Sequence, residues 1–420
     1  MTLLIRAAKI IDPNSKHHQK VVDILIEKGS ISKIGKNLKD PKSARLIEEK
    51  GLHVAPGLFD LHVNFRDPGF EWKEDLQTGM EAAAKGGFTG VVSMPSTLPI
   101  VDTKAQVEYV RKMSSGTAVD IHPAGSVTKG LNGMELTEMF DMSRSGAVAF
   151  TDDKNSIQHA GVMKLALLYT KNFSGVIMNQ PNDHSISSDG QMNEGITSTV
   201  LGLKGIPSLA EDLMVSRDIK LAEYTGGRLH FSCISTAKSV ELIRAAKKKG
   251  LNITADVAIH NLVLDETACN GFDTRYKVNP ALRTQTDIKA LIQGLKDGTI
   301  DAICTDHSPE DIEQKKVEFD NASFGIIGLQ TAFSLACQLE KELGLEVIIE
   351  KMAINPRKVL GLAAPEINTG NTANLCLFNP TTEWTLEEAD IVSKSKNTPF
   401  IGDKLKGKVV GVVNNKIVSC

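Results

Sequence analysis

The chain has 420 residues, of which 41% are hydrophobic and 24% are charged, and its formal net charge at pH 7 is −3. This length can bury one large core and a smaller satellite domain, and the slight acidic balance argues against a nucleic-acid partner. No apolar run approaches the ~20 residues that span a bilayer, and the six cysteines show no CxxC spacing. We therefore expect a cytoplasmic protein with free thiols that binds neither nucleic acid nor membrane.

Both ends of the chain read as β-strands. Residues 1–53 alternate short apolar runs with turns, and Lys28-Gly29 is typical of a hairpin turn. Residues 366–420 repeat this pattern, with Asn414-Asn415 suited to a turn. Because chain termini often lie close together, we predict one small β-sandwich domain formed by both ends. Two unrelated β extensions are the alternative.

Residues 54–365 alternate short β-branched runs with amphipathic helical stretches. The candidate strands are GLFDLHVNF, TGVVSMPS, VDIHPAGSV, AVAFTDD, GVIMNQ, RLHFSCIS, NITADVAIH and DAICTDHS. This alternation predicts parallel βαβ units, and eight of them predict a closed (β/α)8 barrel of the α/β class. A doubly wound open sheet would show the same alternation, but the sequence has no GxGxxG turn to support one.

Polar residues end most of these strands, at the edge of the barrel where active sites form. His62 and Asn64 lie two apart on the first strand and therefore point to the same side. Asp153 and Asp306 end two later strands, where carboxylates can hold metal ions or take a proton from water. A single aspartate at such a position is typical of a strand-end cap. Several polar residues at the ends of separate strands, in barrel order, indicate the active-site edge.

Several further segments can be compared with known families, namely PGLFDLHVNFRDPG, KGGFTGVVSMPST, AVAFTDD, GIPSLAED, YKVNPALR, CTDHSP, FGIIGLQTA and SKSKNTPFIG. Together they resemble the bacterial long-form (type I) dihydroorotases of the amidohydrolase superfamily. The resemblance covers nearly the whole chain. It implies a (β/α)8 barrel, a small β-sandwich from both termini, one or two zinc ions, and the reversible cyclisation of carbamoyl aspartate to dihydroorotate in pyrimidine biosynthesis.

The resemblance also implies a set of metal ligands, which this chain keeps only in part. The retained ligands are His62, Asp153 and Asp306. The positions that have lost the family's histidine are Asn64, Gln180 and Cys233. Zinc takes imidazole, thiolate or carboxylate ligands, and side-chain amides bind it weakly. We therefore expect no bound metal; the alternative is one zinc on the retained ligands, to which the Cys233 thiol would add a soft ligand.

The substrate-binding positions implied by the resemblance are also mixed. Arg66, which would hold the substrate carboxylate, is present, and so is a second polar contact, Asn279. Ser96 stands where the family has an asparagine. Glu310 stands where the family has a histidine, and it would place a negative charge near an anionic substrate.

Three functions are compatible with these residues. We favour a non-catalytic dihydroorotase-like subunit, since some relatives with degenerate metal sites serve as structural partners of aspartate carbamoyltransferase; this reading rests on family analogy. An active dihydroorotase is another candidate partner, and a homo-oligomer is expected. The second function is an active single-metal hydrolase of dihydroorotate or another cyclic amide, with Asp306 as its catalytic residue. The third is a binding protein that senses a carboxylated ligand through Arg66 and Asn279.

Overall fold

The computed structural model describes residues 2–41, 44–113 and 115–419. The strands in chain order are β1 (Thr2–Ile10), β2 (Val21–Glu27), β3 (Ser30–Gly35), β4 (Arg45–Ile47), β5 (His53–Pro56), β6 (Leu58–Val63), β7 (Phe88–Ser93), β8 (Asp120–Gly125), β9 (Ala149–Phe150), β10 (Val176–Asn179), β11 (Met192–Asn193), β12 (Gly205–Ile206), β13 (Arg228–Phe231), β14 (Ile253–Ala258), β15 (Ala302–Cys304), β16 (Leu375–Thr385), β17 (Lys404–Asn414) and β18 (Ile417–Ser419).

The α-helices in chain order are α1 (Leu76–Lys85), α2 (Lys104–Met113), α3 (Met139–Ser145), α4 (Ala160–Lys171), α5 (His184–Ser187), α6 (Ile196–Leu201), α7 (Ser208–Thr225), α8 (Ala237–Lys248), α9 (His260–Val263), α10 (Gln285–Lys296), α11 (Ile312–Lys315), α12 (Ala332–Gln338), α13 (Glu340–Leu343), α14 (Leu345–Ile349) and α15 (Asn355–Leu360). Short 3-10 turns cover Lys129–Leu131, Glu266–Gly271, Thr274–Tyr276 and Glu388–Asp390, and a π-helical segment covers Glu350–Ile354. No helix in these described ranges is both long and apolar enough to cross a bilayer.

The middle of the chain forms the predicted parallel barrel. Its strands are hydrogen-bonded in the order β6-β7-β8-β9-β10-β13-β14-β15, and each neighbouring pair in that order is parallel. A parallel bridge between Val63 and His307 closes the ring, and the Asn64 backbone N–H donates to the His307 carbonyl at 2.8 Å. Each candidate strand of the sequence overlaps one barrel strand. The (β/α)8 fold is therefore confirmed.

Burial explains why these segments form barrel strands. All residues of β6, β7, β10 and β15 are buried, as expected for parallel strands that have helices on one face and core on the other. Phe59, Val92, Met178 and Ala258 belong to one buried apolar cluster although they come from different, mostly non-adjacent strands. Their side chains therefore meet inside the barrel. This filling leaves the polar strand ends as the place where a site can form.

Both ends of the chain contribute to one separate sheet. Its strand order is β18-β17-β16-β5-β1-β2-β3, and β4 pairs with β1. The central strand β5 pairs in parallel with Lys9 and Ile10 of β1, and it pairs antiparallel with Leu375–Phe378 of β16. The pairing confirms that the two strand-rich ends belong together, and the exact domain limits of 1–53, 54–365 and 366–420 stay a prediction.

The two predicted turns of this sheet have different outcomes. Lys28 and Gly29 connect β2 to β3, as predicted. The last turn consists of Asn415 and Lys416, one residue later than predicted, because Asn414 still pairs with Ile417 in the ladder. Both turn residues have a positive φ, of 51° and 65°, which suits the tight turn of a two-residue hairpin.

Candidate active site

The polar residues predicted at the strand ends converge on His62, the penultimate residue of β6. Its Nε2 atom lies 2.9 Å from Asp153 Oδ1 and 3.6 Å from Asp306 Oδ1. On the other side of the ring, Nδ1 lies 3.9 Å from Cys233 Sγ. All four residues are buried. One imidazole therefore links the ends of four different barrel strands.

An unusual backbone conformation is common to the strand ends that build this site. The φ angles are 54° at Asp153, 53° at Cys233, 48° at Asp306 and 63° at Arg66. Residues other than glycine seldom adopt left-handed backbone, which costs about 1–2 kcal/mol. Such strain is typical of functional sites, where it allows the chain to turn directly after the strand.

Buried acids hold the turn after β13, which carries Cys233. The Cys233 backbone N–H donates to Asp256 Oδ1 at 2.6 Å. Glu211, on α7, accepts from the backbone N–H groups of Ser235 at 2.9 Å and Thr236 at 3.1 Å. Glu211 is the glutamate of the GIPSLAED segment, and burial raises its pKa. The GIPSLAED segment therefore stabilises the turn that carries Cys233 and does not itself line the site.

The amide at position 64 serves as a hydrogen-bond donor. Asn64 Nδ2 lies 3.5 Å from Asp153 Oδ2, and the Ser96 hydroxyl donates to the same carboxylate oxygen. Ser96 Oγ is also 3.4 Å from Asn64 Oδ1. Asn64 and Ser96 thus contact each other and stabilise the Asp153 carboxylate.

Lys154 is the site residue that the sequence analysis missed. Its Nζ atom lies 2.8 Å from both carboxylate oxygens of Asp306, and it donates to the Asn279 carbonyl at 2.8 Å. The same carbonyl accepts from Gln180 Nε2 at 3.1 Å. Asn279 therefore contributes a backbone oxygen to the site. The available signal was a lysine immediately after the paired aspartates of AVAFTDD.

At the barrel mouth each of the two aspartates lies next to a basic side chain. Burial alone would raise the pKa of Asp153, but His62 beside it and Lys154 lower that pKa to about 2. Burial would lower the pKa of His62, but the neighbouring Cys233 and Asp153 raise it well above its usual value. Burial would also lower the pKa of Lys154, yet Asp306 and Asp153 raise it. The two aspartates therefore face the His62 imidazole and the Lys154 ammonium.

Arg66 and Glu310 form an ion pair beside this cluster, and their predicted effects on substrate binding stay a prediction. Arg66 Nη2 lies 2.7 Å from Glu310 Oε1, and Lys73 Nζ lies 2.6 Å from Oε2 of the same carboxylate. Arg66 Nε also donates to the Pro309 carbonyl at 3.2 Å. Glu310 is buried. It therefore pairs with two cationic side chains of the same chain.

Three of the residues at the mouth have the chemistry to hold a metal ion. His62, Cys233 and Asp306 each offer a ligand atom, and these atoms lie within 4.8 Å of one another. Cys233, Asp256 and Cys304 meet the same distance condition, but Asp256 already accepts from His230 Nε2 at 3.0 Å. Asp153 belongs to neither group, although it contacts the His62 imidazole.

The donor set does not fit the zinc centre that the family resemblance implies. Asn64 and Gln180 donate hydrogen bonds through their amide nitrogens to neighbouring oxygens. Their neutral amide oxygens, of which Gln180 Oε1 has no hydrogen-bond partner among the described residues, are weak ligands for zinc. Both oxygens of Asp306 are occupied by the Lys154 ammonium. A second cation at this carboxylate would meet a positive charge at short range.

Known proteins of similar sequence and structure agree with this fold. Residues 51–239 match the family described as Dihydro-orotase-like. The chain is 43% identical to the dihydroorotase of Geobacter metallireducens, across 100% of this chain and 99% of that relative. It is 42% identical to the dihydroorotase of Acetivibrio thermocellus, across 99% and 98%. The L-hydantoinase (dihydropyrimidinase) from Arthrobacter aurescens superposes with a TM-score of 0.85 at 22% identity, across 100% and 97%, and so shares the fold.

Proposed function

Because this chain belongs to the dihydroorotase family, we propose that it acts in pyrimidine biosynthesis as a dihydroorotase-like protein that has lost hydrolytic turnover. The full-length relatives support the dihydroorotase-like assignment. The proposal of lost turnover rests on the contacts of the Asp306 carboxylate. Both of its oxygens accept from Lys154 at 2.8 Å, so a metal ion or a proton from water at this carboxylate would have to compete with the ammonium.

The other groups at the mouth are equally poor bases. Water without a Lewis acid has a pKa far above neutral, whereas a catalytic zinc lowers the pKa of its bound water to ~7. Asp153, whose pKa is about 2, has little affinity for a proton. The two ring nitrogens of His62 already face Asp153 Oδ1 and Cys233 Sγ. Neither residue of this pair can therefore activate water for attack on a cyclic amide.

Substrate binding is impaired as well. Dihydroorotate and carbamoyl aspartate are anions that would need Arg66 as a carboxylate partner. Arg66 is bound to Glu310, and Lys73 binds the same glutamate. A substrate carboxylate would therefore compete with Glu310 for the Arg66 guanidinium and would be repelled by the Glu310 charge, which makes binding weaker.

The proposed role is structural, with aspartate carbamoyltransferase as the partner and a homo-oligomer as the assembly. Family analogy is the main support. A further support is α6, where Ile196 and Val200 lie four residues apart and are 84% and 79% exposed. Apolar side chains this exposed on one helix face are typical of contact surfaces. An active dihydroorotase is the other partner considered.

The test is an assay of both reaction directions with the wild-type protein, with and without added Zn²⁺ or Mn²⁺. We expect no rate above the uncatalysed reaction. The dihydroorotase of Geobacter metallireducens, assayed in parallel, serves as the positive control. A kcat in the usual enzyme range of ~1–10³ s⁻¹ that disappears in Asp306→Asn would contradict the proposal and favour the single-metal hydrolase.

A further inference from the structure

The ammonium group of Lys154 is surrounded by oxygen atoms, as a bound metal ion would be. Its side chain is 24% exposed, and its ammonium group has three acceptors at 2.8 Å: the two oxygens of Asp306 and the Asn279 carbonyl. An ammonium has three N–H donors, so every donor has an oxygen partner. A surface lysine would keep its ammonium group in water.

The location of this ammonium is as informative as its contacts. Asp306 is also the carboxylate that, with His62 and Cys233, makes up the three-residue group whose ligand atoms lie within 4.8 Å. Zinc binds carboxylate oxygen at about 2.0–2.2 Å. An ion at that distance from either Asp306 oxygen would lie within about 5 Å of the ammonium, because the ammonium is 2.8 Å from both oxygens, and the two positive charges would repel each other.

A buried carboxylate also needs a cation to remain charged in the folded protein. Asp306 is almost completely buried, and its ion pair with Lys154 supplies that cation from within the chain. Lys154 follows Asp153 directly, at the turn where the backbone is left-handed. The turn after β9 therefore carries both Lys154 and the neighbouring acid Asp153 at the barrel mouth.

We propose that Lys154 is a built-in cation that closes the residual metal site of His62, Cys233 and Asp306 and stabilises the barrel mouth in place of a metal ion. Removal of the lysine then exposes a site with imidazole, thiolate and carboxylate ligands. A soft divalent ion such as Cd²⁺ suits a set that includes a thiolate. The proposal deepens the proposed function, since both depend on the occupation of Asp306, but its test does not measure turnover.

The experiment compares Cd²⁺ binding by the wild-type protein and Lys154→Met, using equilibrium dialysis and the ultraviolet absorption of the cadmium–thiolate bond. We expect the variant to bind one Cd²⁺ per chain at least 100-fold more tightly than the wild type. The absorption band should be absent from Lys154→Met/Cys233→Ser. Lys154→Met should also unfold at a lower temperature than the wild type, and Cd²⁺ should reverse that shift.

Two controls separate charge from general damage. Lys154→Arg keeps the positive charge and should bind Cd²⁺ as weakly as the wild type. Lys289→Met removes a lysine from the exposed face of α10 and should change neither Cd²⁺ binding nor thermal stability. If Lys154→Met does not fold, Lys154→Gln is titrated, since its amide can still donate to Asp306 without carrying a charge.

Either of two results would overturn the proposal. One is stoichiometric Cd²⁺ binding by the wild type at the affinity of the variant, which would mean that Lys154 does not close the site. The other is a folded Lys154→Met or Lys154→Gln that binds no Cd²⁺. Both results leave the turnover assay untouched, so a failure of this inference is distinguishable from a failure of the proposed function.

Discussion

His260 begins α9, and its ring is wholly buried with no hydrogen-bond partner for Nε2 among the residues that the structure describes. Burial lowers its pKa to about 4, from an ordinary value of 6.5. A depressed histidine pKa stabilises the fold above the unfolded-state pKa, and this stability is lost as the pH falls from 6.5 towards 4. At ~1.4 kcal/mol per pH unit, the loss amounts to ~3 kcal/mol.

We therefore expect the free energy of unfolding of the wild type to fall by ~3 kcal/mol more between pH 7 and pH 4 than that of His260→Asn. Urea unfolding curves at several pH values measure this difference. His159→Asn, which changes an exposed histidine, should follow the wild type. Parallel curves for the wild type and His260→Asn would show that the buried ring does not govern this pH range.

Single residues also mark the limit of what the sequence could predict. His62, Asp153 and Asp306 were predicted as one cluster because each ends a barrel strand, and barrel geometry brings strand ends together. The partners of Lys154 and Glu310 were not predictable in this way. Lys154 contacts a residue 152 positions away, and Arg66 contacts Glu310 across 244 positions. Such pairs depend on side-chain rotamers, which no local pattern determines.

At the scale of elements, the barrel strands were predictable because parallel strands buried on both faces give continuous apolar runs. The short strands β11 and β12 were not predicted, since Met192–Asn193 and Gly205–Ile206 have two residues each and show no period. β11 and β12 pair in parallel, and α6 lies between them in the chain. The helix proposed as a contact surface therefore lies beside a small two-stranded sheet outside the barrel strands, where the sequence signal is weak.

For α6 we predict that Ile196→Glu/Val200→Glu weakens binding to aspartate carbamoyltransferase from the same cell by at least ~100-fold, because two charges would be buried in an apolar contact. Titration calorimetry with the two purified proteins measures the affinity. Met134→Glu changes a side chain that is 69% exposed elsewhere and should leave binding unchanged. The proposed partner is wrong if the wild type shows no binding, and the proposed surface is wrong if the double variant binds as tightly as the wild type.

At the scale of the whole molecule, Trp384 reports on the junction between the terminal sheet and the barrel. Its indole N–H, on β16, lies 3.2 Å from Ser334 Oγ on α12 and 3.1 Å from the Gly407 carbonyl on β17. Trp72, the other tryptophan, is 62% exposed. In Trp72→Phe, fluorescence therefore follows the junction alone.

We expect Trp384 fluorescence and far-ultraviolet circular dichroism of Trp72→Phe to give the same urea midpoint, because the sheet and the barrel share buried contacts and should unfold together. Trp384→Phe should lower the free energy of unfolding by ~1 kcal/mol through the lost indole hydrogen bonds. A fluorescence transition at clearly lower urea than the dichroism transition would show that the sheet unfolds separately from the barrel.

The position of β5 in that sheet has a consequence for synthesis of the chain. One edge of β5 pairs with β1 soon after both leave the ribosome, but the other edge pairs with Leu375–Phe378, which is translated more than 300 residues later. At about 5–20 residues per second, that edge stays open for some tens of seconds while the barrel is being made. An open strand edge invites pairing with other chains. Nascent chains are therefore most exposed to aggregation, and most in need of a chaperone, in the interval before β16 emerges.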